Sequence, residues 1–197
     1  MGNISPFFSS KSNVSISKID KELVEGCLKN DRISQRKLYE KFAPKMLVIC
    51  MRYAKTKEDA EDILIEGFVK VFAGLEKFKQ ESSLDTWIHS IMVNASISYF
   101  RKNNKHYQVG SIEDEIHDIP NSSDLDGLAH LTGKDLMQLL QSMPDHLKCV
   151  FNLVAFDGYD YEKISAELGI NIGTARSRMS KGKAWLQERI NKIQKLS

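Results

Sequence analysis

The side chains best placed to do chemistry lie toward the C-terminal end, where Thr174, Arg176, Ser177, Ser180, Lys181 and Lys183 share one face of a helical run, with Arg178 at its edge. No Asp or Glu occurs from Gly173 to Gln187, so that face is uniformly cationic. An α-helix fits the major groove of duplex DNA, where Arg176 can fork onto a guanine and Ser177 can reach either base type. Lys181, Lys183 and Arg178 suit phosphates, a grip that weakens steeply as salt rises. A solvated cationic helix face is the ordinary alternative. The segment in front favours DNA. Tyr161 to Leu168 forms one helical pattern, Gly169 can take the left-handed conformation that ends it, and Asn171 can cap a second helix from Ile172 to about Ile190. This is the pattern of a helix-turn-helix, with Ile164, Leu168, Ile170, Ala175 and Met179 as its small shared core.

A second constellation lies earlier. Phe78, Lys79, Gln80, Glu81, Ser82 and Ser83 form a polar loop with an aromatic start, followed by a helix carrying Trp87, Ile91 and Asn94. A loop that offers backbone amides, Gln, Ser and a nearby ring can hold an unstacked base by stacking and hydrogen bonding. Arg101, Lys102 and Lys105 extend the outer face with positive charge. Phe78 and Trp87 also suit a plain core role, and the helical phase of Trp87 matches Ile91. Asn94 faces away from the inferred apolar stripe and lies beside the loop, which favours a binding role.

These residues need rigid helices to hold them. Leu38, Phe42, Met46, Ile49, Cys50 and Tyr53 make one apolar stripe. Thr56 can cap a helix whose first turn holds Glu58 and Asp59 and whose inner face runs Ala60, Ile63, Leu64, Phe68, Val71, Phe72 and Leu75. Ser83 can cap a third, with Trp87, Ile88, Ile91, Met92, Ala95 and Tyr99 inward. Between Lys105 and Lys134 there is no Lys or Arg, while Glu113, Asp114, Glu115, Asp118, Asp124 and Asp126 are acidic and Pro120 and Gly127 interrupt any helix. Further on, Leu136, Leu139, Leu140 and Met143 share a face, Pro144 breaks the run, and Leu147, Val150, Phe151 and Val154 follow. Gly158 can end that helix and Asp160 can cap the next. The expected architecture is all-α: a mobile arm over residues 1–18, a helical bundle over 19–106, a flexible acidic linker over 107–131, and a helix-turn-helix domain over 132–197.

The totals agree. The chain has 197 residues, enough for two small cores, and 42% hydrophobic with 27% charged residues is ordinary for a folded protein. A net charge of +2 means that any nucleic-acid binding must come from local clustering. Cys27, Cys50 and Cys149 are far apart, odd in number and set in apolar helical patterns, so they are expected as reduced core thiols with no metal site. Met1 to Pro6 lacks a cationic segment followed by an apolar run, and Pro6 occupies the position where a myristoylation signal needs Ser or Thr. No apolar stretch approaches bilayer length. The expectation is a cytoplasmic protein without membrane insertion. Asp114 and Asp118 lack the rigid scaffold a catalytic centre needs, so no catalytic residue is expected.

The order Leu38-Tyr39, Asp59-Ala60-Glu61-Asp62, Phe78 through Ser83 with Thr86-Trp87, Asn94, and Gly173-Thr174-Ala175-Arg176-Ser177-Arg178 resembles the extracytoplasmic-function (ECF) sigma factors of the sigma-70 family. The resemblance covers both helical regions. It implies a factor, not itself an enzyme and without a cofactor, that directs core RNA polymerase to specific promoters and assists their opening. It implies that the helix beginning at Asp59 docks on the clamp helices of the polymerase's largest subunit through Asp59, Asp62, Glu66 and Phe68, and that the second domain meets the flap region. The loop Phe78 to Ser83 with Ile91 and Asn94 would take a flipped base of the minus-ten element, Arg101, Lys102 and Lys105 would follow its phosphates, and the helix bearing Thr174 to Lys183 would read the minus-thirty-five element. An anti-sigma protein, commonly membrane-bound in the family, is implied as a restraining partner. Ile65 and Gly67 stand where the family often has Gln and Thr, Leu84 where an aromatic is common, and Ser180 where a large residue can occur. A transcriptional regulator that binds duplex operators without polymerase is the rival reading.

Overall fold

The computed structural model describes residues 17–103 and 132–195, and all its regular elements there are helical. The expected arm lies outside the described residues except for Ser17 and Lys18. The expected acidic linker and Lys105 lie wholly outside them. The described chain divides into two compact units, one up to Tyr99 and one from Phe100 onward.

The first unit starts with α1 (Lys18–Leu28), whose capping hydroxyl is that of Ser17, accepting from the Asp20 amide. Asn30, in the left-handed region at φ 57°, turns the chain, and Asp31 caps α2 (Arg32–Tyr53) by accepting from the amides of Ile33 and Ser34. Helical periodicity alone had not separated these two helices. Asn tolerates positive φ and Asp competes well for free helix-end amides, so two adjacent residues end one helix and start the next. The stripe expected on α2 is real: Leu38, Phe42, Met46, Ile49, Cys50 and Tyr53 are all buried.

Thr56 and Asp59 form a reciprocal capping box at the start of α3 (Lys57–Gly74). Ala60, Ile63, Leu64, Phe68 and Val71 point inward as their spacing requires. Gly67 belongs to the same inner face, and a methyl group added there would lie 2.3 Å from Met92 Sδ of the next helix. The glycine that weakens α3 as an isolated helix therefore lets a neighbouring helix approach it closely. After a short 3-10 turn at Leu75–Lys77, the loop leads to α4 (Leu84–Asn103). The Ser83 hydroxyl accepts from the Thr86 amide at 3.0 Å, which is the expected cap. Ile88, Met92, Val93, Ala95 and Ile97 complete the core of this bundle.

In the second unit, Thr132 and Asp135 make another capping box on α5 (Gly133–Ser142). Pro144, which has no amide hydrogen to lose, then opens α6 (Asp145–Ala155). Gly158 has φ 68°, Asp160 caps α7 (Tyr161–Leu168) through the Lys163 amide at 2.7 Å, and α8 runs from Ile172 to Gln194. Leu140, Val150, Leu153, Ile164, Ala175, Leu186 and Ile190 form its core. All three cysteines are free and buried, and burial pushes the Cys50 and Cys149 thiols up to about 12. Among the described residues no helix is long and apolar enough to cross a membrane, and no cluster of His, Cys, Asp and Glu is suited to a metal ion.

Candidate nucleic-acid interface

The turn between α7 and α8 is fixed from both sides. Gly169 has φ 66° and donates its amide to the Ser165 carbonyl at 2.9 Å, closing α7. The Ser165 hydroxyl donates to the Ile170 carbonyl at 2.6 Å, and Asn171 Oδ1 accepts the Thr174 amide at 2.6 Å. Three backbone groups on the two sides of the turn, the Gly169 amide, the Ile170 carbonyl and the Thr174 amide, are thus held, and the start of α8 is set against α7. Ser165 had no assigned role in the sequence reading. Its position four residues before the terminating glycine is the signal that identifies it.

Along α8 the buried positions are Ala175, Arg178, Met179, Gly182, Leu186 and Ile190. The opposite face carries exposed Arg176 and half-exposed Thr174, Ser177, Ser180, Lys181 and Lys183. Ile164, Leu168, Ala175 and Met179 are buried as expected of a shared core, while Ile170 is only half-buried. The guanidinium of Arg176 lies 5.5 Å from the centre of the Tyr161 ring, a cation–π arrangement that holds the arginine over α7. Burial pushes the Tyr161 hydroxyl up, and the Arg176 charge opposes that shift. Tyr161 escaped the sequence reading because cation–π partners on separate helices share no sequence periodicity.

In the first unit, the loop from Phe78 to Ser83 exposes Lys79, Gln80 and Glu81 and half-buries Ser82 and Ser83. Gln80 has φ 60°, a left-handed conformation uncommon for a residue with a side chain. Phe78 packs on Trp87 with ring centres 5.0 Å apart, so the loop is pinned to the first turn of α4. Seven residues, two helical turns, then separate Trp87 from Asn94, and seven more separate Asn94 from Arg101. Half-buried Trp87 and Ile91, exposed Asn94 and Ser98, half-buried Arg101 and exposed Lys102 therefore form one continuous stripe, with aromatic character at one end and positive charge at the other. Asn94 is exposed, away from the buried face of α4, as expected.

On α3, Asp62 and Glu66 are exposed one turn apart, and Glu66 accepts a hydrogen bond from Lys70 at 2.6 Å. Asp59 is occupied by the cap: hydrogen bonds from Thr56 and then from Tyr99 hold its carboxyl below the usual carboxylate range. Ile65 and Val69 are 58% and 63% exposed, leaving an apolar strip between the acids. Nearby, Tyr39, Ala43, Pro44 and Leu47 of α2 and Leu64 and Ile65 of α3 line an open groove of about 590 Å³.

Three expected contact residues require correction. Phe68 is 3% exposed, its ring 4.7 Å from Tyr39, because it falls on the inward phase of α3. Phe78 is 9% exposed against Trp87. Arg178 is 2% exposed, on the apolar stripe of α8 between Ala175 and Gly182. None of the three presents its side chain to a partner at the surface.

The family described as Sigma-70 region 2 matches residues 38–106, and the one described as Sigma-70, region 4 matches residues 133–186, together more than half of the chain. Among curated proteins, the chain is 28% identical over 158 residues to the ECF RNA polymerase sigma factor SigE of Mycolicibacterium smegmatis, covering 79% of this chain and 61% of that one. It is 27% identical over 191 residues to the ECF RNA polymerase sigma-E factor of Escherichia coli K12, covering 90% of this chain and 95% of that one. Solved structures that resemble it include the sigma factor RpoE in complex with the anti-sigma factor NepR from Bartonella quintana, at TM-score 0.47 and 24% identity, covering 80% of this chain and 96% of that one. Another is CnrH in complex with the cytosolic domain of CnrY, at TM-score 0.46 and 16% identity, covering 88% and 98%. With both regions matched in order and relatives aligned across both units, the chain belongs to the sigma-70 family of RNA polymerase sigma factors, as an ECF member.

Proposed function

We propose that this chain directs core RNA polymerase to specific promoters and assists strand opening, with the labour divided between its two units. The single observation that carries this reading is the outward cationic face of α8 set behind a turn held by the Gly169, Ser165 and Asn171 hydrogen bonds, the geometry needed to enter a major groove. Arg176 and Ser177 read base edges of the minus-thirty-five element, while Lys181 and Lys183 hold phosphates. In the first unit, the loop Lys79 to Ser83 with Ile91 and Asn94 receives a base from the opened minus-ten strand. Lys102, and Lys105 beyond the described residues, follow its backbone. Asp62 and Glu66, flanking exposed Ile65 and Val69, dock on the polymerase.

Capture of an extruded base offsets part of the unpairing cost, so opening needs no catalytic group. The proposal includes action in the cytoplasm, where the polymerase is, and an anti-sigma protein as the restraining partner, as the family resemblance implies. Run-off transcription with core polymerase on a pooled promoter library is the decisive measurement. The expected result is initiation from a restricted set of templates only when the chain is added. Asn94→Ala should slow open-complex formation and leave polymerase binding intact, and equal loss of both contradicts its role. A regulator acting without polymerase would instead shift duplex DNA tightly by itself.

A further inference from the structure

Arg178 is a cation in a DNA-reading helix, yet it does not face outward. It follows Arg176 by two residues, about 200° around a helix of 3.6 residues per turn, and is 2% exposed. On α6, which meets the same face of α8 one turn further on at Gly182, Lys148 is 1% exposed, with its ammonium 3.2 Å from the Asp145 carboxylate and 3.4 Å from the Gln141 carbonyl. Asp157 follows the end of α6, its amide donated to the Asn152 carbonyl at 3.1 Å, and Asn152 is fully buried. The thiol of Cys149, also on α6, feels the charges of Arg178, Asp157, Asp145 and Lys148 together. Arg178 and Lys148 are thus two buried cations on the helices that meet at this junction, with Asp145 paired to Lys148 and Asp157 just past the end of α6, within a unit of four described helices after α4.

A hydrophobic contact permits a helix to roll a little, because dispersion forces are weakly directional. A planar guanidinium buried in a low-dielectric interior is much less tolerant, since any roll that costs it a polar partner leaves a buried charge with the full desolvation cost. Gly182, one turn along the same face, packs directly against Phe151 of α6, where a methyl group would make ordinary van der Waals contact at 3.6 Å.

We propose that Arg178 is a positioning residue for promoter readout: with Lys148, Asp145 and Asp157 it fixes the rotational setting of α8 on α6, so that Arg176 and Ser177 reach base edges in register. It does not contact phosphate. The proposal rests on α8 being the DNA-reading helix, and the experiment separates the two ideas.

Holoenzyme assembled from core polymerase and the full chain is first used to select duplexes from a random library. Binding to the selected duplex and to a scrambled one is then followed as a function of salt. A phosphate contact shows itself in the slope of log K against log salt, which falls by about one when it is removed, and Lys181→Ala serves as that control. Arg178→Met is expected to keep the wild-type slope while the preference for the selected duplex drops about tenfold or more, the scale of one lost base contact. Asp157→Asn, which removes no positive charge, is expected to lose preference in the same way and keeps the test available should Arg178→Met not fold. A shallower slope with intact preference in Arg178→Met, or unchanged preference in Asp157→Asn, overturns the positioning role and leaves the helix assignment standing. Failure of the wild-type holoenzyme to select any duplex overturns both.

Discussion

At the scale of single residues, the most informative contact is the one between Arg176 and Tyr161. A free arginine loses side-chain entropy on reaching a base, and one already resting on an aromatic ring loses less. Arg176→Ala should cost about 1–3 kcal/mol at a single base pair and relax preference there. Tyr161→Leu should give a smaller loss at the same base pair, because the arginine remains but is no longer held. Competition binding of holoenzyme against promoter variants substituted one position at a time checks both, and a loss spread evenly over all positions would contradict them. This pairing also marks a limit of reading residues from type and spacing. The spacing identified Arg176 as outward, but Arg178 was placed among the phosphate contacts because it is cationic, although its phase is that of Ala175 and Gly182. Phase was the better guide there, as it was for Phe68.

At the scale of elements, the helix starts were legible because their chemistry is local. Thr56, Ser83, Asp160 and Asn171 each cap the helix expected of them. The break between α1 and α2 was not legible from apolar spacing, since a left-handed Asn followed by a capping Asp leaves the surrounding hydrophobic pattern undisturbed. Nor did the sequence explain Gly67, whose reason lies on another helix. Gly67→Val should improve the intrinsic helix preference of α3 yet destabilise the protein by about 1–3 kcal/mol through overpacking against Met92. In thermal unfolding, adding Met92→Ala to that variant should recover stability relative to the sum of the single effects, and strict additivity would rule out the close contact. The cap of α3 makes a separate prediction about acid. The Asp59 carboxyl is depressed relative to its unfolded value near 3.8, so its contribution is fully present above that value and disappears as pH falls through the still lower folded one. The stability gap between wild type and Asp59→Asn should therefore be widest near neutrality and shrink below about pH 4 in urea titrations, and a gap independent of pH would exclude the hydrogen-bonded carboxylate as its source.

At the scale of the whole molecule, near-neutral charge conceals a sharp local organisation. Cationic side chains concentrate on one face of α8, while acidic Asp62 and Glu66 occupy α3, so different surfaces suit DNA and protein. Two helical units were readable because two sets of apolar helical stripes are separated by a stretch without one, although the division falls at Tyr99 and Phe100, ahead of the composition shift after Lys105. The stripe from Trp87 through Asn94 to Arg101 was only partly readable: Asn94 was expected to face away from the apolar stripe and is exposed, whereas Trp87 was expected inward and is only half-buried. The loop that feeds this stripe turns at Gln80, and positive φ at a residue other than glycine leaves no signature in composition. The strip formed by Ile65 and Val69 was half read: Ile65 was noted where the family often has a polar residue, while Val69 was not singled out.

That strip has a practical consequence for the protein on its own. Oily side chains kept open to water between assembly events invite the molecule to stick to its own kind, so a freshly purified sample should show concentration-dependent growth in sedimentation velocity. Val69→Glu should suppress that growth and, by the same change, weaken capture by core polymerase about tenfold. A factor of this type trades shelf life in solution for readiness to be taken up.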